Sequence, residues 1–113
     1  MGQSRIEIFE QMLAGDPANT AVLFGLAKEY EKAGDETKLI ETLERYLAAA
    51  DDEGNAYGML ARAYERTSQT DKARAAYERG MDVSAAHGHP GMAQEYRDIL
   101  ESEYRTTEAL KPL

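Results

Sequence analysis

At 113 residues and a formal net charge of −8, the chain has room for one domain around one core. Its charge repels phosphate backbones and anionic lipid, which argues against nucleic-acid and membrane-surface partners. Hydrophobic residues make up 42% and charged residues 30%, the balance of a folded rather than a disordered chain. The absence of Cys excludes disulfides, zinc–thiolate sites and cysteine nucleophiles, and no apolar run reaches the ~20 residues of a membrane span. The opening Met1-Gly2-Gln3-Ser4-Arg5-Ile6 lacks the apolar stretch of a signal peptide. Ile6 also stands where a myristoylation signal wants Ser or Thr, so the expected location is the cytoplasm.

In chain order, the first helix carries Ile6, Ile8, Phe9, Met12 and Leu13. Asp16-Pro17 reads as a cap followed by Pro at the first position of the next helix. There Leu23, Leu26, Ala27 and Tyr30 recur at helical spacing and share one face. Gly34 offers a stop and Asp35 a new start. Leu39, Ile40, Leu43, Tyr46 and Leu47 form the next apolar face, and Asp51-Asp52-Glu53 a solvated linker. Tyr57, Leu60, Ala61 and Tyr64 then repeat the first face, and Ala73, Ala76, Tyr77 and Met81 the second. Between them Ser68-Gln69-Thr70-Asp71 has the form of a capping box. Gly88 and Pro90 mark a loop. Met92, Ala93, Tyr96, Ile99, Leu100 and Tyr104 make a last stripe with polar residues opposite, the pattern of a helix that covers the end of a stack. Residues 105–113 lack a pattern and are expected to fray.

A fixed period ties these elements together. At an offset of 34, Leu26, Ala27, Tyr30, Glu31, Lys38, Glu44 and Arg45 meet Leu60, Ala61, Tyr64, Glu65, Lys72, Glu78 and Arg79. The offset continues backward, where Ile6, Glu7, Glu10, Leu13 and Ala14 meet Ile40, Glu41, Glu44, Leu47 and Ala48. The repeating unit is therefore a pair of helices. Neither helix buries its stripe alone, so such units stack.

These residues resemble the tetratricopeptide repeat (TPR), a helix–turn–helix with the pattern Trp-x2-Leu-Gly-x2-Tyr, Ala-x3-Phe, Pro. One unit supplies Leu23-x2-Leu26-Ala27-x2-Tyr30 and Leu39-x3-Leu43; the next supplies Tyr57-x2-Leu60-Ala61-x2-Tyr64 and Ala73-x3-Tyr77. Phe9 and Pro17 take the family's Phe and Pro places, and His89-x2-Met92-Ala93-x2-Tyr96 imitates the motif once more. The departures are Leu39 where Ala is preferred, Asp51 and Ala85 for the linking Pro, and Tyr46 and Gly80 at a place usually small. The resemblance implies an all-α fold: a right-handed α-solenoid of antiparallel helix pairs with about six helices, in a single domain over 1–113. Its parts would be a half repeat at 5–19 (second helix only), TPR units at 20–53 and 54–87, a capping helix at 88–104 and a tail at 105–113.

By the same resemblance, the chain is a protein–protein interaction module of the adaptor, scaffold or co-chaperone kind. It would receive a peptide or helix in a concave groove lined by the first helix of each pair. The implied inward places are Ala21, Phe24, Gly25, Lys28, Glu31 and Lys32, then Asn55, Gly58, Met59, Arg62, Glu65 and Arg66, and in the cap Gln94, Arg97 and Asp98. From these the expected binding set is Phe24, Gly25, Lys28, Lys32, Asn55, Met59, Arg62 and Arg66. Rows of Lys28 with Arg62 and Lys32 with Arg66 suit a carboxylate or acidic segment. Gly25 and Gly58 would leave room, and Phe24 and Met59 would offer apolar contact. The plainer account is ordinary surface pairing, since Glu31 and Glu65 follow Lys28 and Arg62 by three residues. Some family members grip a C-terminal carboxylate with a Lys and Asn set; Phe24 and Lys28 stand at the places of its first Lys and Asn, so that ligand does not transfer.

Other chemistry has little footing. His87 and His89 are the only two His, and two ligands without a third make no metal site. No Ser–His–Asp order, phosphate loop or dinucleotide fingerprint occurs, so neither an enzyme, a cofactor nor a metal is expected. The alternative to a binding module is a self-associating structural protein, a monomer or weak homodimer, that uses an incompletely covered face of the first helix at Ile6, Ile8, Phe9, Met12 and Leu13.

Overall fold

Ser4 opens α1 (Arg5–Gly15): its hydroxyl accepts the Glu7 amide at 3.1 Å and lies 3.3 Å from the Glu7 carboxylate. This is a side-chain N-cap. The computed structural model describes residues 4–104. The helices that follow are α2 (Thr20–Ala33), α3 (Glu36–Ala49), α4 (Asn55–Arg66), α5 (Thr70–Ala86) and α6 (Pro90–Ile99), with a π-helical turn at Leu100–Tyr104. No strand occurs among the described residues, and the fold is all-α, built of TPR-like helix pairs. The tail expected to fray lies outside the described residues.

Two start signals fall elsewhere than expected. Asp16-Pro17 does not open α2. Asp16 closes α1, its amide donating to the Met12 carbonyl at 3.1 Å, and Asn19 caps α2 by accepting the Val22 amide at 3.1 Å. Pro17 belongs to the turn that reverses the chain between antiparallel helices. Its carbonyl accepts from Arg45 of α3 at 3.1 Å. Nor does Ser68 cap α5, which begins at Thr70 without a side-chain cap. Ser68 is instead taken up in closing α4, with φ +60°. The Ser68 amide donates to the Glu65 carbonyl at 3.1 Å and the Gln69 amide to Tyr64 at 2.8 Å.

That closure recurs. Gly34 (φ +74°) and Gly88 (φ +78°) end α2 and α5 with the same pair of hydrogen bonds, the Schellman arrangement that satisfies a helix's last carbonyls. After Gly34, Asp35 caps α3 by accepting the Lys38 amide at 3.1 Å. After Gly88, Pro90 sits in the first turn of α6, where its fixed φ suits a helix start. Ala85, lacking the ring that halts a helix, lets α5 run to Ala86. The solvated linker also prepares the next helix, because Asp52 accepts the amides of Gly54 at 2.8 Å and Ala56 at 3.1 Å ahead of α4.

The chain divides into two compact units between Asp51 and Asp52. In unit 1, α2 packs against α1 and α3. Leu13, Val22, Leu23, Leu26, Ala27, Tyr30, Leu39 and Leu43 are buried. In unit 2, α5 packs against α4, α6 and the π turn over Leu60, Ala61, Ala63, Tyr64, Ala73, Tyr77, Ala93, Tyr96 and Tyr104. A Leu buried this completely stabilises the fold by about 1.5–3 kcal/mol. The predicted motif residues Tyr30, Tyr64, Ala27 and Ala61 all lie in these cores.

Candidate protein-binding surfaces

On α2 the expected contact residues leave unit 1 in a row: Ala21, Lys28, Glu31 and Lys32 are exposed, and Phe24 and Gly25 half-buried. Gly25 leaves no room for a ligand, because the Phe9 ring of α1 lies over it, 3.2 Å from where a Cβ would stand. Lys28 extends over the Phe24 ring at 5.4 Å, and Phe24 leans on Tyr46 of α3 with ring centroids 5.1 Å apart. The ion pairs form on Glu29 rather than Glu31. Glu29 receives Lys32 at 3.3 Å and Arg5 of α1 at 3.5 Å. Arg5 also lies over the Phe9 ring at 5.5 Å. Beyond Phe9 on α1, Ile8 is 42% and Met12 49% exposed, whereas Leu13 is buried.

On α4 the expected set splits. Asn55, Arg62 and Arg66 are exposed, but Met59 is 4% exposed and Gly58 is buried. The apolar contact expected of Met59 is thus used inside unit 2. The space beside Gly58 is filled by Tyr96 of α6, whose hydroxyl lies 2.6 Å from the place of a Cβ. Tyr96 donates to the Gly54 carbonyl at 2.7 Å, and Gly80 of α5 admits its ring from the other side. The small residue at 80, where Tyr46 stands one repeat earlier, makes way for this wedge. On α6, Gln94, Arg97 and Asp98 are exposed, with Gln94 bound to Asp98 at 2.8 Å.

Glu65 does not pair with Arg62. Its carboxylate accepts from Tyr77 at 3.0 Å and Tyr104 at 2.8 Å. Arg74 of α5 donates to the Tyr104 carbonyl at 2.7 Å and lies over its ring. The π turn is therefore fastened to α4 and α5 together. Unit 1 has a simpler version, in which Tyr30 donates to Glu10 at 2.7 Å. Burial first, and the carboxylate next, hold the Tyr30 and Tyr104 hydroxyls protonated and push each pKa up to about 12. The same two causes raise Tyr77 further, and burial raises Tyr96.

A profile of the tetratricopeptide repeat matches residues 54–87. The chain is also 34% identical, over 83 residues, to a TPR repeat-containing protein of Pseudomonas aeruginosa, an alignment covering 74% of this chain and 79% of that one. The chain belongs to the tetratricopeptide repeat family. TPR repeats generally bind other proteins or peptides, and TPR proteins are typically non-enzymatic interaction modules. Among the described residues no helix of this TPR chain is long and apolar enough to cross a membrane. The two His serve helix ends: His87 Nδ1 is 3.1 Å from the Val83 carbonyl, and His89 Nε2 is 2.8 Å from Glu53. Sequence reasoning missed Arg5 and Glu29 as partners. The signal for Arg5 was present, since residues 5, 8 and 12 share a helical stripe.

Proposed function

We propose that the chain is an adaptor or scaffold that holds an acidic or carboxylate-bearing segment of a partner protein against the first helix of a TPR unit. One observation carries the reading. On a chain of net charge −8, Lys28 and Lys32 on α2 and Arg62 and Arg66 on α4 are exposed, two cations one helical turn apart in each unit. Phe24 and Asn55 accompany them, while Met59 and Gly58 are withdrawn into the core. Exposed cations on an acidic protein set partner choice and on-rate more than stability.

Quantitative affinity capture from the source cell tests this reading, with the wild-type chain beside the variant Lys28→Ala, Lys32→Ala, Arg62→Ala, Arg66→Ala. The expected result is a protein retained by the wild type and lost by the variant, the difference being largest at low salt, with the helical circular dichroism of the variant intact. Equal recovery of every captured protein by both chains would rule the reading out.

A further inference from the structure

Among the described residues, Ile8 and Met12 are the exposed large apolar side chains. They stand one turn apart on α1, in a stripe that begins with Arg5. The half-buried Phe9 beside them lies over Gly25 of α2, which brings the stripe alongside the exposed face of α2. Arg5 and Lys32 meet on the one carboxylate of Glu29, and Lys28 follows Gly25 by a turn. This edge of unit 1 therefore holds Arg5, Lys28 and Lys32 against Glu29, which two of them share, and the exposed Glu31, a local excess of positive charge on a strongly acidic chain.

We infer that this α1–α2 edge docks an acidic amphipathic helix of a partner protein. The partner's apolar stripe would cover Ile8, Met12 and Phe9, and its flanking carboxylates would face Arg5, Lys28 and Lys32. The inference rests on the protein-binding reading above and moves the apolar anchor from Met59, which is buried, to α1. A helix laid in a shallow groove is the binding mode that an apolar stripe with charged margins supports, and its cost in water is what such an exposed pair signals. A second copy of this chain fits less well. A two-fold contact opposes each patch to itself, so the patch's net positive charge would face its own copy without the carboxylates that a distinct acidic helix supplies, and like charges brought together are costly.

The test uses two synthetic helical peptides with the same leucine stripe, one flanked by Glu and one by Lys, with fluorescence anisotropy against the full chain. The Glu-flanked peptide should bind, lose affinity as salt rises, and bind about tenfold or more tightly than the Lys-flanked one. The double change Ile8→Gln, Met12→Gln should weaken it about tenfold or more, whereas Arg79→Ala at an exposed position of α5 should leave it unchanged. Should the α1 variant lose its helical spectrum, Lys28→Glu, Lys32→Glu decides in its place, with the same loss expected. The inference is overturned if the Glu-flanked peptide fails to bind, if the two peptides bind alike, or if the folded α1 variant binds as the wild type does. It is also overturned by a concentration-dependent dimer in light scattering that Ile8→Gln, Met12→Gln abolishes, which would make a second copy the occupant. Loss of peptide binding through Arg62 and Arg66 alone would sink this edge and leave the broader protein-binding reading standing on α4.

Discussion

The turns that close α2 and α4 lie one repeat apart and follow the same backbone path with different residues. In unit 1, Gly34 takes the left-handed position and Asp35 caps the next helix. In unit 2 those roles fall to Ser68, at φ +60°, and to Gln69, which makes no side-chain cap. The same contrast runs through the interiors. Phe9 rests over Gly25 at 3.2 Å, whereas Tyr96 is wedged between Gly58 and Gly80, only 2.6 to 3.0 Å from where a Cβ would stand. Glu10 serves Tyr30, while Glu65 serves both Tyr77 and Tyr104. The helix-pair path is thus set by packing, and the local residues either fit it or bear its cost. Unit 2 has less favourable turn chemistry and tighter side-chain locking.

The largest effect expected is with pH. Unfolded tyrosines release their protons near pH 10, while folded Tyr30 and Tyr104 keep theirs up to about 12. Between those values the unfolded chain binds fewer protons than the folded one, so stability falls as pH rises. It is fully present below pH 10. Circular dichroism between pH 10 and 12 should show alkaline unfolding, and Tyr104→Phe should lessen the slope of that loss. An unchanged slope would mean that the Glu65 clamp does not hold the proton.

Breaking the carboxylate anchors comes next. Glu65→Ala strands two buried hydroxyls and should cost about 2–3 kcal/mol in urea unfolding, against about 1 kcal/mol for Glu10→Ala. Equal losses would remove the distinction between the double and the single anchor. The close approaches follow. Gly58→Ala drives a Cβ into Tyr96 and should cost about 1–2 kcal/mol. Gly25→Ala asks the half-buried Phe9 ring to give by only a few tenths of an ångström, so with the gain in helix propensity stability should stay within about 0.5 kcal/mol of the wild type.

The turns give effects of about 1 kcal/mol or less and the sharpest comparison. Ser68→Gly should raise stability by about 1 kcal/mol by relieving a left-handed residue that carries a Cβ, and Gly34→Ser should lower it by a similar amount. Gln69→Asp should add about 0.5–1 kcal/mol through the cap that Asp35 already provides in unit 1. Thermal melts of these three variants check the signs. If Ser68→Gly destabilises the chain, the serine hydroxyl has a role in the turn that its backbone angle does not reveal.

By itself the sequence determined the helix pairs, their period and their core. Leu23, Leu26, Ala27 and Tyr30, with Leu60, Ala61 and Tyr64 one repeat later, are spaced so that only a helix puts them on one face, and each is buried. Gly34 and Asp35 were legible because each acts within a few bonds of itself. The binding surface was half legible. Exposed Lys28, Lys32, Arg62 and Arg66 follow from the helical period, but Met59 does not, because whether a residue at the margin of a stripe is covered depends on the helix packed against it. Only the tertiary structure decided that Ser68 closes α4 instead of capping α5, that Asn19 rather than Asp16 opens α2, and that Glu65 turns to two tyrosines. In each case a short polar side chain or a backbone turn had several local choices of similar energy. The packed neighbours chose among them: Tyr104 arrives at Glu65 from 39 residues away, a distance along the chain that no local pattern encodes.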